Sequence, residues 1–228
     1  MSAAKPHHNS LPRKKVLIVD DHPMTRRGLA QVINGEADLA VCGEADTAAR
    51  ALETVRPLAP DLVLADITMP GRSGLEFLKD MQVLHPEVPV LVLSMHDESV
   101  YGQRALRAGA RGYLMKSEGA DKVLEAIRLV LQGRTYVSGK MLEAMVGTMR
   151  GRRAGAPEPR PAALTDREFE IFHLLGHGLS TRAIAERLNL SEKTVGTHRV
   201  HIKEKLGAKT AAELVRQAVQ WTEAQAPN

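Results

Sequence analysis

Cysteine is nearly missing from this chain: its 228 residues contain one, Cys42. A single thiol closes no internal disulfide, which fits a reducing compartment. Cys42 reads as a small buried apolar residue rather than a reactive thiol. Aromatic residues make up only 3% of the chain. The cores must therefore be aliphatic, and a base-stacking platform for single-stranded nucleic acid is disfavoured. Long apolar runs are absent too: none approaches the roughly 20 residues of a membrane helix. The first residues, MSAAKPHHNSLPRKK, lack the apolar centre of a signal peptide. A cytoplasmic protein without membrane contact is expected. Charge is only mildly one-sided, at +4, but it is unevenly placed. Residues 1–150 hold 19 Lys/Arg against 18 Asp/Glu, and residues 151–228 hold 12 against 9. The excess in the shorter part hints at a polyanion partner there.

What the chain does have is two grammars. Residues 14–133 alternate short apolar runs with amphipathic stretches such as GLEFLKDMQVLH. The runs are KKVLIVD, LAVCGEA, DLVLAD, VPVLVLSM and GYLMK. Five successive β–α units imply a doubly wound parallel sheet covered on both faces. Near-continuous Val/Leu/Ile runs suit its doubly buried strands. Residues 134–163 read as a linker. Met141, Met145 and Met149 recur there at helical spacing, and GRRAGAPEPRPAA (151–163) forms a Gly/Pro-rich hinge. From 164 to 228 the pattern is all helical, with four short helices at about 166–177, 181–188, 192–206 and 211–222. Thr165 with Glu168 and Thr210 with Glu213 have capping-box spacing. Ser180 and Ser191 stand where N-caps belong, and Gly178 and Gly207 where helices stop.

The polar residues of the strands gather at one edge. Asp20 ends the first strand, with Asp21 just after it. Asp66 ends the third, Ser94 lies near the end of the fourth, and Lys116 ends the fifth. In open α/β sheets the functional crevice lies at this carboxyl edge, where strand order reverses. Three clustered carboxylates repel one another, and a hard cation such as Mg²⁺ relieves that cost. A divalent ion beside a carboxylate, a lysine and a hydroxyl makes a phosphoryl site. Asp66 can act in it as nucleophile. Pro70 and Gly71 would turn the chain sharply and keep Asp66 accessible.

Asp20–Asp21, Asp66 within ADITMPGRSG, Ser94 and GYLMK resemble the receiver domain of bacterial response regulators. The resemblance implies a flavodoxin-like receiver. Asp66 would take its phosphoryl group from a sensor histidine kinase, with Mg²⁺ held by Asp20, Asp21, Asp66 and the carbonyl of Thr68. Ser94 and Lys116 would contact the phosphoryl group, and Tyr113 would be the aromatic switch that turns inward as Ser94 moves. Thr68 and His96 match positions that tune phosphoryl lifetime.

LTDRE, GLSTRAIAERLNLSEKTV and HRVHIKEKLGA resemble the LuxR-type helix-turn-helix of NarL/FixJ-like regulators. On the third helix of this part Val195, His198, Ile202 and Leu206 share a face directed at Ile184 and Leu188. His198 therefore reads as structural rather than as a metal ligand or catalyst. The opposite side offers Lys193, Thr194, Gly196, Thr197, Arg199, Val200 and Lys203 to the major groove of double-stranded promoter DNA. Lys193, Arg199, Lys203 and Lys205 are candidate phosphate contacts. Gly196 and Val200 depart from the family, where long polar or basic side chains are common. Readout would then rest on Thr197, Val200 and thymine methyls, or on DNA shape. The last helix carries Ala211, Leu214, Val215, Ala218 and Val219 on one apolar face, and the resemblance makes it the dimer contact.

The expected function is a transcription regulator, not an enzyme. Phosphorylation of Asp66 would release or reorient the C-terminal part through the hinge. A homodimer would then bind promoter DNA, with RNA polymerase as a candidate further partner. Two other readings stand beside it. One is an aspartyl-phosphate phosphatase of the haloacid dehalogenase type, but Thr68 stands where that class carries a second aspartate. The other is an interaction module indifferent to phosphate, which would not need the acidic pair or the lysine.

Overall fold

The computed structural model describes residues 12–69, 73–151 and 160–225. Pro70, Gly71 and most of the expected hinge lie outside the described residues. Five strands alternate with five helices: β1 (Lys14–Val19), α1 (Pro23–Asn34), β2 (Leu39–Ala45), α2 (Ala48–Leu58), β3 (Leu62–Ala65), α3 (Gly74–Leu84), β4 (Val90–Ser94), α4 (Glu98–Arg107), β5 (Gly112–Met115) and α5 (Ala120–Leu131). All pairings are parallel, in the order β2-β1-β3-β4-β5. The order reverses between β1 and β3, so the crevice opens beyond their carboxyl ends.

The central strands are buried along their length because helices cover both faces. Leu17, Val19, Val63 and Val92 face one core with Leu75, Phe77 and Met81. Val16, Ile18, Leu64 and Leu91 face the other with Val123 and Ile127. Successive residues alternate between the layers, as strand geometry requires. Scarce aromatics thus leave two mainly aliphatic cores.

The segment after α5 departs from a plain linker. Tyr136 is buried, and its backbone bonds both Arg111 and Tyr113 beside β5. Helix α6 (Gly139–Gly151) follows and lays Met141 against α4. A Cβ at Gly102 would stand 2.6 Å from Met141 Cε, so the thioether end of Met141 occupies the space this glycine leaves and would have to shift for a larger residue. The methionine stripe is therefore packed at Met141, which is 2% exposed. Met145 is partly buried against the same core.

A 3-10 turn (Arg160–Ala163) leads into α7 (Asp166–Gly176), α8 (Thr181–Leu188), α9 (Glu192–Leu206) and α10 (Ala211–Gln225). Thr165 and Glu168 close a full capping box at α7. Ser180 and Ser191 cap α8 and α9, and Gly207 ends α9 in the left-handed conformation. At the start of α10 the Glu213 carboxylate reaches Lys209 N rather than Thr210 N, while Glu213 N still bonds Thr210 Oγ1. Val195, Ile202 and Leu206 are buried with Ile184 and Leu188. Leu214 and Ala218 of α10 pack inward, and Trp221 closes on Phe169 and Phe172. Among the described residues no helix is long and apolar enough to cross a membrane.

Candidate phosphoacceptor edge and DNA interface

Chain ends at β1 and β3 deliver Asp20 and Asp66 side by side, at 2% and 3% exposure. Buried carboxylates need partners. Asp66 Oδ1 accepts from Thr68 N at 2.8 Å, and Asp20 Oδ1 from His22 N at 2.8 Å. Lys116, one residue past β5, places Nζ 2.6 Å from both Asp20 Oδ2 and Asp66 Oδ2. Burial alone would lower the Lys116 pKa, but Asp66 and Asp20 outweigh it and hold it above its ordinary value.

One lysine does not balance three carboxylates. Asp21 Oδ1 is buried and lies 2.7 Å from His22 Nδ1 without hydrogen-bond alignment. Thr68 Oγ1 is buried with no hydrogen-bond partner among the described residues. Asp20, Asp21, His22 and Asp66 offer ligand atoms within 4.8 Å of one another. This acidic, oxygen-rich cluster suits a hard cation. His22 belongs to the cluster and was not singled out from the sequence. Neither was Arg26, whose guanidinium holds the Asp20 carbonyl at 2.5 Å.

Ser94, fully buried at the end of β4, accepts at Oγ from His96 N at 3.1 Å. Tyr113 is also fully buried, and its hydroxyl donates to the His96 carbonyl at 2.9 Å. Burial pushes the Tyr113 phenol well above its ordinary pKa, so it stays a donor. Both expected switch residues therefore converge on His96. Its ring stacks on Tyr101 of α4 and meets His173 of α7 edge-on.

The helical part is docked over this edge. A cavity of 320 Å³ lies between the two, lined by Asp21, Thr68 and His96 on one side and Glu170, Arg187 and Leu188 on the other. Ser73 Oγ donates to Glu170 Oε1 at 2.5 Å. Lys79 pairs with Asp166 at 2.5 Å. Arg104 bonds Leu164 O and Asp166 Oδ1, each at 3.2 Å, and also the Pro161 carbonyl. Its guanidinium lies 4.0 Å over the Phe169 ring. Burial raises the Glu170 pKa although Ser73 and Arg167 lower it in part. None of these contacts had a local signal, because each joins residues more than fifty positions apart.

On the far side α9 is open. Lys193 and Thr197 are exposed, and Val200 is 48% exposed. Thr194, Gly196, Arg199 and Lys203 are half-buried. Thr194 shares a hydrogen bond with Ser191, and Thr197 Oγ1 donates to Lys193 O at 3.1 Å. Arg199 Nη1 is tied to Thr181 Oγ1, which orients the guanidinium and leaves its other N–H donors for a phosphate. Lys205 is held by Glu168 at 2.7 Å. A Cβ at Gly196 would meet nothing within 4 Å, so packing does not demand this glycine.

The model of the response regulator receiver domain matches residues 16–128, and that of the LuxR family of bacterial regulatory proteins matches residues 162–218. The oxygen regulatory protein NreC of Staphylococcus carnosus is 34% identical over 90% of this chain and 96% of its own length. The chain is a LuxR-type response regulator. A LuxR-family two-component response regulator from Aurantimonas sp. shares 30% identity and a TM-score of 0.57, over 60% of the regulator and 99% of that chain. RcsB of Salmonella enterica serovar Typhimurium, solved on the promoter rprA with a phosphomimetic, has the same fold. It is 22% identical with a TM-score of 0.63, over 91% of the regulator and 98% of that chain.

The docked face of the regulator has a pH consequence. His173 is 6% exposed. It shares 3.2 Å with His177 and 3.5 Å with the Tyr101 hydroxyl, while Phe169 and Trp221 pack on its ring. Burial first, then His96, His177 and Arg187, lower its pKa from 6.5 to about 3. A depressed base favours docking when neutral. That contribution is full above about pH 6.5 and lost as pH falls toward 3. Between pH 7.5 and 5.5 the docked state is expected to weaken by up to about tenfold, the limit reached when undocking returns His173 fully to solvent. Glu170 opposes this, since docking favours its protonated form. Interdomain FRET against pH checks the expectation: His173→Phe should flatten the profile, and an unchanged slope would assign it elsewhere.

Proposed function

We propose that the regulator accepts a phosphoryl group on Asp66 and that this controls promoter binding through α9. The observation that carries the reading is the convergence of Asp66, Asp20, Asp21, Ser94 and Lys116 at one sheet edge, with the DNA-binding part docked over it. A carboxylate oxygen of Asp66 attacks phosphorus. The P–N bond of a sensor kinase phosphohistidine breaks, and the imidazole leaves with the electron pair. Mg²⁺, held by Asp20, Asp21, Asp66 and the Thr68 carbonyl, would offset the charge these groups and the phosphoryl oxygens concentrate there. Lys116 moves from Asp20 onto a phosphoryl oxygen. Ser94 donates a hydrogen bond from its hydroxyl to another, and the movement of Oγ toward that oxygen draws it away from His96 N. Tyr113 is already turned inward and fully buried, so the expected inward rotation is not needed here and its part is to hold the His96 carbonyl.

The His96 loop then carries the change outward, because the same residue packs on Tyr101 and His173. A loosened dock frees the LuxR-type part to pair with a second copy through α10. On DNA, Lys193, Arg199 and Lys203 are assigned to phosphates. Thr194, Gly196, Thr197 and Val200 are assigned to the groove, where a valine and a threonine methyl favour thymine methyls. The work is done in the cytoplasm, where kinase, promoter and RNA polymerase meet. Receiver chemistry here serves signalling; Asp66 supports its own loading and unloading rather than turnover of a substrate.

The test is selection from a pool of random-sequence duplexes with the full chain, before and after acetyl phosphate and Mg²⁺. Enrichment of a paired half-site motif only after treatment is expected. Equal enrichment in both states would favour the module indifferent to phosphate. Sustained release of phosphate from small phosphomonoesters would favour the phosphatase reading.

A further inference from the structure

Away from the receiver edge, three groups that neither phosphoryl transfer nor DNA contact uses come together. Glu168, His198 and His201 each offer a ligand atom, all within 4.8 Å of one another. Glu168 stands in the first turn of α7 and is 3% exposed. Its Oε2 accepts from Thr165 N at 2.8 Å and from Lys205 Nζ at 2.7 Å. His198 and His201 are three residues apart on α9, which sets their side chains next to each other on one flank of the helix. That flank borders the stripe of Val195 and Ile202, which turns toward the core of the small domain.

His198 Nδ1 is buried and has no hydrogen-bond partner among the described residues. A buried polar nitrogen left unpaired is costly, and an ion is one way to satisfy it. His201 is exposed, which gives an ion a way in from solvent.

We propose that Glu168, His198 and His201 form a site for a borderline divalent transition-metal ion of the zinc class. Two imidazoles and one carboxylate are the donor set such ions take, with water in the fourth position. Mg²⁺ and Ca²⁺ want oxygen donors and are better served at the receiver edge. Metal–ligand bonds of about 2.0–2.2 Å require the three donors to draw in somewhat from their present spacing. The exposed His201 ring is the free partner that makes this movement.

Lys205 is the competitor, since its ammonium now neutralises Glu168. An entering ion replaces that ammonium as counterion, and Lys205, 37% exposed, swings into solvent. Lys205 lies on the recognition helix, so the exchange frees a cation for the DNA backbone. The ion also ties the start of α7 to the middle of α9. Metal supply would thus act on the output domain, independently of Asp66.

The test uses the full chain, stripped with a chelator and kept in excess Mg²⁺ to occupy the receiver cluster. Co²⁺ is titrated in while its visible ligand-field absorption is read, and Zn²⁺ is then added to displace it. One Co²⁺ per chain with a four-coordinate spectrum is expected. His201→Ala alters an exposed residue and should weaken binding about tenfold or more, the loss of one ligand. Lys205→Ala should tighten binding several-fold by removing the competing cation, and His173→Ala should leave it unchanged. Glu168→Gln is avoided as sole evidence because it also removes the buried counterion of Lys205. Zn²⁺ should raise the unfolding temperature of the wild-type chain and not that of His201→Ala. Equal affinity in wild type and His201→Ala would overturn the site. So would weaker binding in Lys205→Ala, or no Co²⁺ uptake at about 100 μM, where a working site with Kd near 1 μM is saturated.

Discussion

Asp66→Asn is expected to gain no mass on incubation with acetyl phosphate and Mg²⁺, where the wild-type chain gains one phosphoryl group. The amide nearly matches the carboxylate in shape and can keep the Thr68 N bond through its oxygen, but it is no nucleophile. Lys116 keeps a carboxylate partner, because Asp20 Oδ2 is as close as Asp66 Oδ2, at 2.6 Å. Relief of carboxylate repulsion and loss of the Asp66–Lys116 ion pair oppose each other, so the unfolding midpoint is expected to move little. Intact mass reads the loss, and denaturant unfolding confirms the fold. A phosphoryl gain in the variant would place the acceptor elsewhere. A wild-type chain that gains nothing from acetyl phosphate or from a phosphorylated kinase domain would end the phosphoacceptor reading.

Arg104→Ala is expected to shift the docked regulator toward an open one by about 30- to 150-fold. Arg104 is a single side chain joined to four groups of the output part: two carbonyls, the Asp166 carboxylate and the Phe169 ring. Its side chain is 16% exposed, so the contacts are only lightly screened. Hydrogen bonds to charged groups contribute roughly 1.5–3 kcal/mol each and a cation–π contact about 0.5–2 kcal/mol. They are not additive, and Lys79 still holds Asp166, so a net loss of about 2–3 kcal/mol is the sensible total. Undocking opens the cavity beside Asp21 and Thr68, the neighbours of Asp66 at this edge. Phosphoryl uptake from acetyl phosphate should therefore speed up in Arg104→Ala. Small-angle scattering reads the opening and intact mass reads the rate. An unchanged scattering curve with an unchanged rate would mean that other contacts hold the dock.

Legibility differed between parts of the molecule for physical reasons. The strands beginning at Lys14, Leu39, Leu62, Val90 and Gly112 were readable because doubly buried strands must be apolar along their length. The helix starts at Ser180 and Ser191 were readable because orphan backbone N–H groups select particular side chains. Other features had no local trace. Tyr136 looked like a linker residue, since its contact is with β5 some two dozen residues earlier. His22 was missed beside the acidic pair because nothing in DDHP distinguishes a cluster member from a helix-entry residue.

The sequence by itself determined the two folds, the carboxylate edge and the family. Each rests on local periodicity, on capping, or on motifs whose residues stand at fixed places along strands and helices. Only the tertiary structure decided that the DNA-binding part docks over the edge that carries Asp21, Thr68 and His96 while leaving the outer side of α9 open. It alone placed His96 between the Ser94–Tyr113 pair and His173, and made Arg104 the clasp. Such contacts join surfaces far apart in the chain. They depend on which face of one completed domain fits another, and no periodicity within either domain encodes that choice.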